Sequence, residues 1–407
     1  MKILLVNKFH YLKGGSEKYY FDLANLLEEN GHEVAFFSMK DEKNIKTNNK
    51  EYFVEAIDLN SNNKLKALDV IYSKNNKKKM EEALNDFKPD IVHLNNFQRQ
   101  LSASIIKPIL KRNIPIIFTA HDVQAICPAI TMLDGNKDIC EECKNGKYCN
   151  CIKKKCVKNS TAKSILGAIE GKYYRKNKIY TKKINHIITP SEFYKTKFIE
   201  DGTNQNKVSA LHNFIDIEKY NIDTQDDGYA LYFGRLSKEK GIINLIKAFS
   251  KTEFGNLFIA GEGEEKENIE AMIKQENLQN RVKLLGHLNK EKMNETIKNC
   301  KFVVVPSIWY ENCPYSILET LAIGKPVIGA NIGGIPELVI DNETGLLYKH
   351  DNIEELTNKM NKLFKNTDLV QKMSNNAKKC AASRYSKEKY YEDIIKIYNE
   401  EIKKNKK

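Results

Sequence analysis

The sequence predicts an α/β protein built from two doubly wound, Rossmann-like domains. Three observations carry this. Its 407 residues are too many for one ordinary core and suit two. A rhythm of short apolar runs alternating with amphipathic stretches occurs twice, the pattern of parallel sheets wrapped by helices. Between the two rhythms lies 217–228, IEKYNIDTQDDG, which is polar and lacks a hydrophobic repeat, so it reads as a linker. The expected domains are 1–216 and 229–385, with a helical segment 386–407 that can pack back on the first domain.

In the first domain, residues 3–6 form a strand, followed by the turn Gly14-Gly15. A helix over 17–29 places Tyr20, Leu23, Ala24 and Leu27 on one face, and Gly31 ends it. Strands follow at 34–37, 90–94, 114–119, 184–189 and 208–211, with a helix at 101–112. Residues 57–79 are polar, with helical stretches expected. The window 123–160 interrupts the rhythm and reads as a cysteine-rich insertion. A helix over 161–182 is predicted to bury Ile165, Ile169 and Tyr173. The second domain has strands at 230–233, 257–260, 282–285, 301–306 and 326–329. A helix opens at Gly241, and three more cover 352–363, 369–382 and 387–401.

Composition is globular, with 41% hydrophobic and 29% charged residues. The formal net charge of +13 comes with lysine clusters at 77–79 and 172–183, which suit an anionic membrane surface or a phosphorylated substrate as well as plain solvation. The basic residues are dispersed and no nucleic-acid-reading element is present, so no nucleic-acid partner is expected. The first apolar run is too short for a leader, and no stretch has membrane-spanning length. The expected location is cytoplasmic, with peripheral contact at the inner membrane face. Six of nine cysteines crowd into 127–156. Cys140-x-x-Cys143 has metal-hook spacing, and Cys127, Cys149, Cys151 and Cys156 can complete a thiolate site. Structural zinc, free or redox-active thiols and another metal centre all remain open.

Several motifs follow strand ends, where parallel α/β folds bind ligands. Gly14-Gly15 can let backbone approach a phosphate or merely turn the chain. An imidazole at His121, next to Asp122, can meet a sugar hydroxyl or make a structural bond. Gly234-Arg235 with Lys240-Gly241 offers two cations and exposed N–H groups for a diphosphate. Gly261-Glu262-Gly263 can surround a base or ribose, or turn the chain. Glu311 belongs to a loop and Glu319 to a helix, because Pro314 biases the residue before it away from helix. A carboxylate at Glu319 can take two ribose hydroxyls, or Ser316 and Glu319 can form a capping box.

With these residues in place, the chain resembles the retaining glycosyltransferases of family 4, which have the GT-B fold: two Rossmann-like domains facing a cleft. The resemblance covers nearly the whole chain. Its most specific part is Glu311-Asn-Cys-Pro-Tyr-Ser-Ile-Leu-Glu319, supported by Gly234-Arg235, Lys240-Gly241, Thr189-Pro-Ser-Glu-Phe193 and Gly333-Gly-Ile-Pro-Glu337. It implies a UDP- or GDP-linked sugar donor, held mainly by the second domain. Arg235 and Lys240 would contact the diphosphate, Glu311 the donor sugar and Glu319 the ribose. Gly261 and the run Asn312, Cys313, Pro314, Tyr315 and Ser316 would line the donor. His121 would lie near the transferred sugar and Gly15 at the phosphate-facing edge of the first domain. Asn312-Cys313 departs from the commoner glycine-containing form, which leaves the sugar open. No Asp-x-Asp stands at a credible strand end, so no catalytic metal is expected.

The implied activity is a hexosyltransferase-like transfer to the hydroxyl of a glycan or lipid-linked glycan, in bacterial cell-envelope polysaccharide or glycolipid synthesis. The competing expectation is a nucleotide-sugar-binding scaffold that has lost transfer.

Overall fold

The structure is a computed structural model that describes residues 1–57, 69–220 and 225–406. Parts of the polar stretch 57–79 and of the expected linker 217–228 therefore lie outside the described residues. The chain divides into two compact units, Met1–His212 with Tyr390–Lys407, and Asn213–Lys389.

Unit 1 holds strands β1 (Lys2–Val6), β2 (Glu33–Met39), β3 (Lys50–Val54), β4 (Ile91–Leu94), β5 (Ile116–Thr119), β6 (His186–Thr189) and β7 (Val208–Ala210). They form one parallel sheet in the order β3-β2-β1-β4-β5-β6-β7. Ile3 to Val6 are fully buried, as expected of a central strand covered on both faces. The strand order reverses between β1 and β4, which opens a crevice at their carboxyl ends. Edge strand β3 escapes sequence reading because only two of its five residues are buried.

The helix expected over 101–112 is a tight turn, Ala103–Ile105, leading into a short helix, Ile106–Lys111. The helix expected over 161–182 stops at Lys176, since Lys178 adopts a left-handed φ of 53°. Its predicted apolar face is also reversed. Ile165 and Ile169 point outward, 41% and 50% exposed. The side turned inward carries Ser164, Gly167, Ala168, Glu170 and Tyr174. Fit decides this rather than hydrophobicity. A Cβ on Gly167 or Gly171 would come within 3.3 Å of Pro128 or 3.1 Å of Tyr148. Glu170 in turn accepts hydrogen bonds from the Arg99 backbone N–H (3.1 Å) and from Gln124 (3.1 Å), which lets a carboxyl be buried.

The segment 123–160 is stitched into unit 1 rather than standing apart. Cys143, Tyr148 and Cys151 pack with Ala168, Arg99 donates to the Pro128 carbonyl, and the Asn145 N–H donates to Asp201.

The helix Lys387–Asn405 delivers aromatic hydroxyls to the first sheet from Tyr390 onward. Tyr398 Oη meets His93 Nδ1 at 2.5 Å, Tyr390 meets the Tyr19 hydroxyl at 2.5 Å, and Tyr391 meets His32 Nε2 at 2.9 Å.

Unit 2 holds β8 (Tyr229–Phe233), β9 (Asn256–Ala260), β10 (Val282–Gly286), β11 (Phe302–Val305), β12 (Val327–Ala330) and β13 (Gly345–Tyr348). All pairs are parallel, in the order β10-β9-β8-β11-β12-β13. The order reverses between β8 and β11. The described part of 213–228 is tied into this unit: the Ile215 N–H donates to the Tyr385 carbonyl, and Asp227 N–H to Asn299. Among the described residues no helix is long and apolar enough to cross a membrane.

Candidate functional site

The reversal point of the second sheet is where most of the motif residues meet. Arg235 follows β8, Lys240 ends the tight turn Lys238–Lys240, and Glu311 lies on the loop after β11. Glu311 is almost fully buried. Its Oε1 accepts from Lys240 Nζ (2.7 Å), Ser307 Oγ (2.7 Å) and Trp309 Nε1 (2.9 Å). Burial alone would raise this carboxyl, but the Lys240 charge and the three hydrogen bonds hold it below the usual range. All three bonds converge on one oxygen, and among the described residues none is made to Oε2. Lys240 also stands over the Trp309 ring, 5.4 Å from its centroid.

Arg235 is 62% exposed at its side chain and pairs with buried Glu239 at 2.5 Å. Both cations thus come with a carboxylate, so the pairs leave little excess positive charge at this end of the sheet.

Glycines bring these loops together. Gly261 has φ of 142°, and a Cβ there would stand 1.9 Å from the Gly234 carbonyl oxygen, so the β9 loop can lie on the β8 loop only without a side chain. Gly333, with φ of 60°, lets the segment after β12 press on Glu311. A Cβ would fall 2.5 Å from the Glu311 carbonyl oxygen, which accepts from the Gly334 N–H at 2.7 Å.

Asn312, Cys313 and Pro314 continue the loop, and the helix Tyr315–Ile323 begins after Pro314. Pro314 stands at the N-cap with no side-chain cap, so Ser316 lies inside the helix and the capping box does not form. Glu319 is on that helix, 3.5 Å from the Tyr220 hydroxyl. Buried Asn213 donates to the Cys313 carbonyl at 3.1 Å.

Gly15 and His121 belong to unit 1. Gly15 starts the helix Gly15–Glu29, but Glu17 occupies its first turn, buried and held by Asn7 and Ser16. A carboxyl group already stands where a phosphate would profit from the helix N-terminus. His121 follows β5; its Nε2 meets Asn95 Oδ1 at 2.9 Å and its ring packs edge-on to Tyr19. Asp122 accepts from the Gln124 N–H. Burial lowers His121 to about 3, and lowers His93 to about 3 with help from His121 nearby. At neutral pH both imidazoles are uncharged, which suits His121 to hydrogen-bond a hydroxyl rather than to supply charge.

The six clustered cysteines are free thiols. Cys127, Cys140 and Cys143 line one small pocket, and Cys143, Cys151 and Cys156 pack around Tyr148. Cys149 is exposed. Among the described residues no group of three or more His, Cys, Asp or Glu side chains is arranged to hold a metal ion. Burial raises the Cys143 thiol to about 12 and raises Cys127 and Cys151 as well, which favours the protonated form.

A family model described as Glycosyltransferase Family 4 matches residues 13–219, just over half of the chain. A second, described as Glycosyl transferases group 1, matches 214–380. The chain belongs to the GT-B glycosyltransferases that these models describe. It is 30% identical over 242 residues to an uncharacterised glycosyltransferase of Methanocaldococcus jannaschii, covering 59% of this chain and 66% of that one. It is 26% identical over 357 residues to an uncharacterised 42.6 kDa protein in the cps region of Klebsiella pneumoniae, covering 83% and 87%. The chain spans two thirds or less of the length of three curated relatives, from 48% to 66%. The crystal structure of Anabaena HepE in complex with UDP shares the fold, with a TM-score of 0.71 at 18% identity over 98% of this chain and 100% of that one.

Within this GT-B glycosyltransferase, sequence reasoning missed Ser307, Trp309 and Glu239, which hold the motif residues in place. Trp309 had a signal, being the single tryptophan of the chain and two residues before Glu311. Ser307 and Glu239 had none: each lies only four residues from its partner, but on a loop or tight turn whose side-chain directions no periodic pattern gives.

Proposed function

We propose that the chain is a retaining hexosyltransferase. It moves a sugar from a UDP- or GDP-linked donor to a hydroxyl of a glycan or lipid-linked glycan, in synthesis of a bacterial cell-envelope polysaccharide or glycolipid. The observation that carries this is the cluster of Arg235, Lys240 and Glu311 at the reversal point of the second sheet, with Glu311 Oε2 left for a ligand. The Klebsiella relative from the cps region and the UDP complex of HepE agree with the setting and the donor class.

In this reading the bond from the anomeric carbon to the diphosphate oxygen breaks, and the acceptor oxygen bonds to that carbon on the same face. The acceptor proton passes to a phosphate oxygen. Arg235, Lys240 and backbone N–H groups stabilise the charge gathering on the leaving diphosphate. Glu311 holds sugar hydroxyls, Glu319 the ribose, and Gly261 with the run 312–316 lines the donor. Neutral His121 orients a hydroxyl.

The test is mass-detected transfer with a panel of UDP- and GDP-sugars and an extract of envelope glycans. Glu311→Ala should lose transfer by about 100-fold or more while remaining folded. Donor binding without transfer across the panel would replace the enzyme reading with the scaffold reading.

A further inference from the structure

Six large hydrophobic side chains are exposed among the described residues: Leu12, Ile45, Ile139, Ile165, Ile169 and Phe254. Scattered singly, such residues need no explanation. Ile165 and Ile169 are different, because they lie four residues apart on the helix Thr161–Lys176 and so share one face. At about 100° per residue, half-buried Tyr173 extends the stripe by one more turn, and exposed Lys172 and Lys176 fall within the same arc. Lys178 and Lys182 are exposed on the turn that follows, and Lys163 near the helix start. Arg175 is taken by Asp201 at 2.8 Å. Among the described residues no ion pair ties down Lys163, Lys172, Lys176, Lys178 or Lys182.

The inward side of this helix explains why the isoleucines stay outside. It is committed to Glu170, to the close approaches at Gly167 and Gly171, and to Tyr174, so no rotation could bury the stripe without exposing a bonded carboxyl. The outward face therefore keeps two β-branched aliphatic side chains and an amphipathic phenol beside uncompensated ammonium groups. That combination matches the boundary of an anionic bilayer. The aliphatic side chains enter the edge of the acyl region, the tyrosine suits the headgroup level, and the lysines meet lipid phosphates.

We propose that the outward face of helix Thr161–Lys176, with Ile165, Ile169 and Tyr173 flanked by Lys172 and Lys176, docks unit 1 on an anionic phospholipid surface. This extends the proposed use of a lipid-linked acceptor, but the docking itself involves neither donor nor acceptor. Vesicle binding and sugar transfer can therefore fail independently.

The experiment is sedimentation of the full chain with vesicles of phosphatidylcholine alone or mixed with phosphatidylglycerol, at low and high salt. Wild type should sediment with the anionic vesicles, lose most of that binding in high salt, and stay in solution with the neutral ones. The pair Ile165→Ser/Ile169→Ser should lower partitioning about tenfold or more. The pair Lys172→Glu/Lys176→Glu should lower it by at least the roughly fivefold expected for each ammonium lost near the surface. A charge-matched pair on exposed unit 2 positions, Lys290→Glu/Lys292→Glu, should sediment like wild type. Circular dichroism melts confirm that each variant is folded.

Equal recovery with neutral and anionic vesicles overturns the proposal. So does unchanged binding of the isoleucine pair, or a loss in the unit 2 pair as large as in the helix pair. Light scattering that shows a dimer, abolished by the isoleucine substitutions and without vesicle binding, would assign the face to a second copy of the chain instead.

Discussion

Replacing Glu311 in two ways separates its structural from its chemical work. Ala removes the acceptor of three donors at once. Ser307 and Trp309 each lose a largely buried bond, at about 1–3 kcal/mol apiece for a donor left unpaired. Lys240 is 22% exposed at its side chain and can recover part of its solvation, so its share is discounted. Ser307 and Trp309 together come to about 2–6 kcal/mol of unit 2 stability, to which Lys240 adds little. Gln keeps an oxygen for Ser307 and Trp309 and gives up mainly the charge opposite Lys240, at about 1–2 kcal/mol. For a unit of this size each kcal/mol moves the melting temperature by about 2–4 °C. Glu311→Gln should therefore melt about 2–8 °C below wild type, and Glu311→Ala distinctly lower again. The carboxyl sits below its ordinary value of 4.5 in the folded state. The unfolded chain then binds more protons as pH falls through that value, so stability present above about 4.5 is lost below it. The wild-type advantage over Glu311→Gln should shrink in that window. Calorimetric melts near neutral pH and at about pH 4 read both effects. Coincident melting of the Gln and Ala variants, or an advantage that persists in acid, would refute the three-donor account.

Three further outcomes follow from the structure. Gly261→Ala should abolish binding of whichever nucleoside diphosphate, UDP or GDP, wild type binds, followed by quenching of the single tryptophan, because its Cβ has 1.9 Å to the Gly234 oxygen and a strained φ; wild-type affinity would show that the loop contact is dispensable. His93 and His121 are held neutral to about pH 3, so unfolding gains protons below their ordinary value of 6.5 and unit 1 should lose up to about 1.4 kcal/mol per pH unit for each histidine between those limits; a flat stability from pH 6.5 to about 5 would contradict their burial. Thiol titration of metal-free-buffered protein should find Cys149 reacting fast and Cys127, Cys143 and Cys151 reacting only on unfolding, with no stoichiometric metal released; a full equivalent of zinc would show that the insertion is a thiolate centre.

Central strands and their trailing motifs were legible because a strand buried on both faces writes an unbroken apolar run, as at Ile3–Val6 and Phe302–Val305. Where they end, Gly, Arg and Glu stand out against that run. Half-buried β3 wrote no such signal, and β13 follows a turn with no spacing to mark it. The helix Thr161–Lys176 misled for a physical reason: hydrophobic periodicity assumes that the apolar side turns inward, and here close packing at two glycines and a bonded carboxyl turned it outward. The pairing of Lys240 with Glu311 was hidden because it spans 71 positions of sequence and depends on the sheet placing β8 beside β11, whereas Ser307 and Trp309 were hidden by an irregular loop with no periodicity to aim them.

The helix that presents Tyr390 and Tyr398 to the first sheet carries a consequence for how the protein is made. A ribosome releases residues in order, so Tyr19 and His93 emerge long before the hydroxyls that meet them. All of Asn213–Lys389 is translated in the interval. The second-born unit can close around its own sheet while the first still waits with a buried-type histidine uncovered. Nascent chains stalled before Tyr390 should thus hold a protease-resistant Asn213–Lys389 beside a first unit that is still cleaved, and gain full resistance only once the last helix clears the exit tunnel.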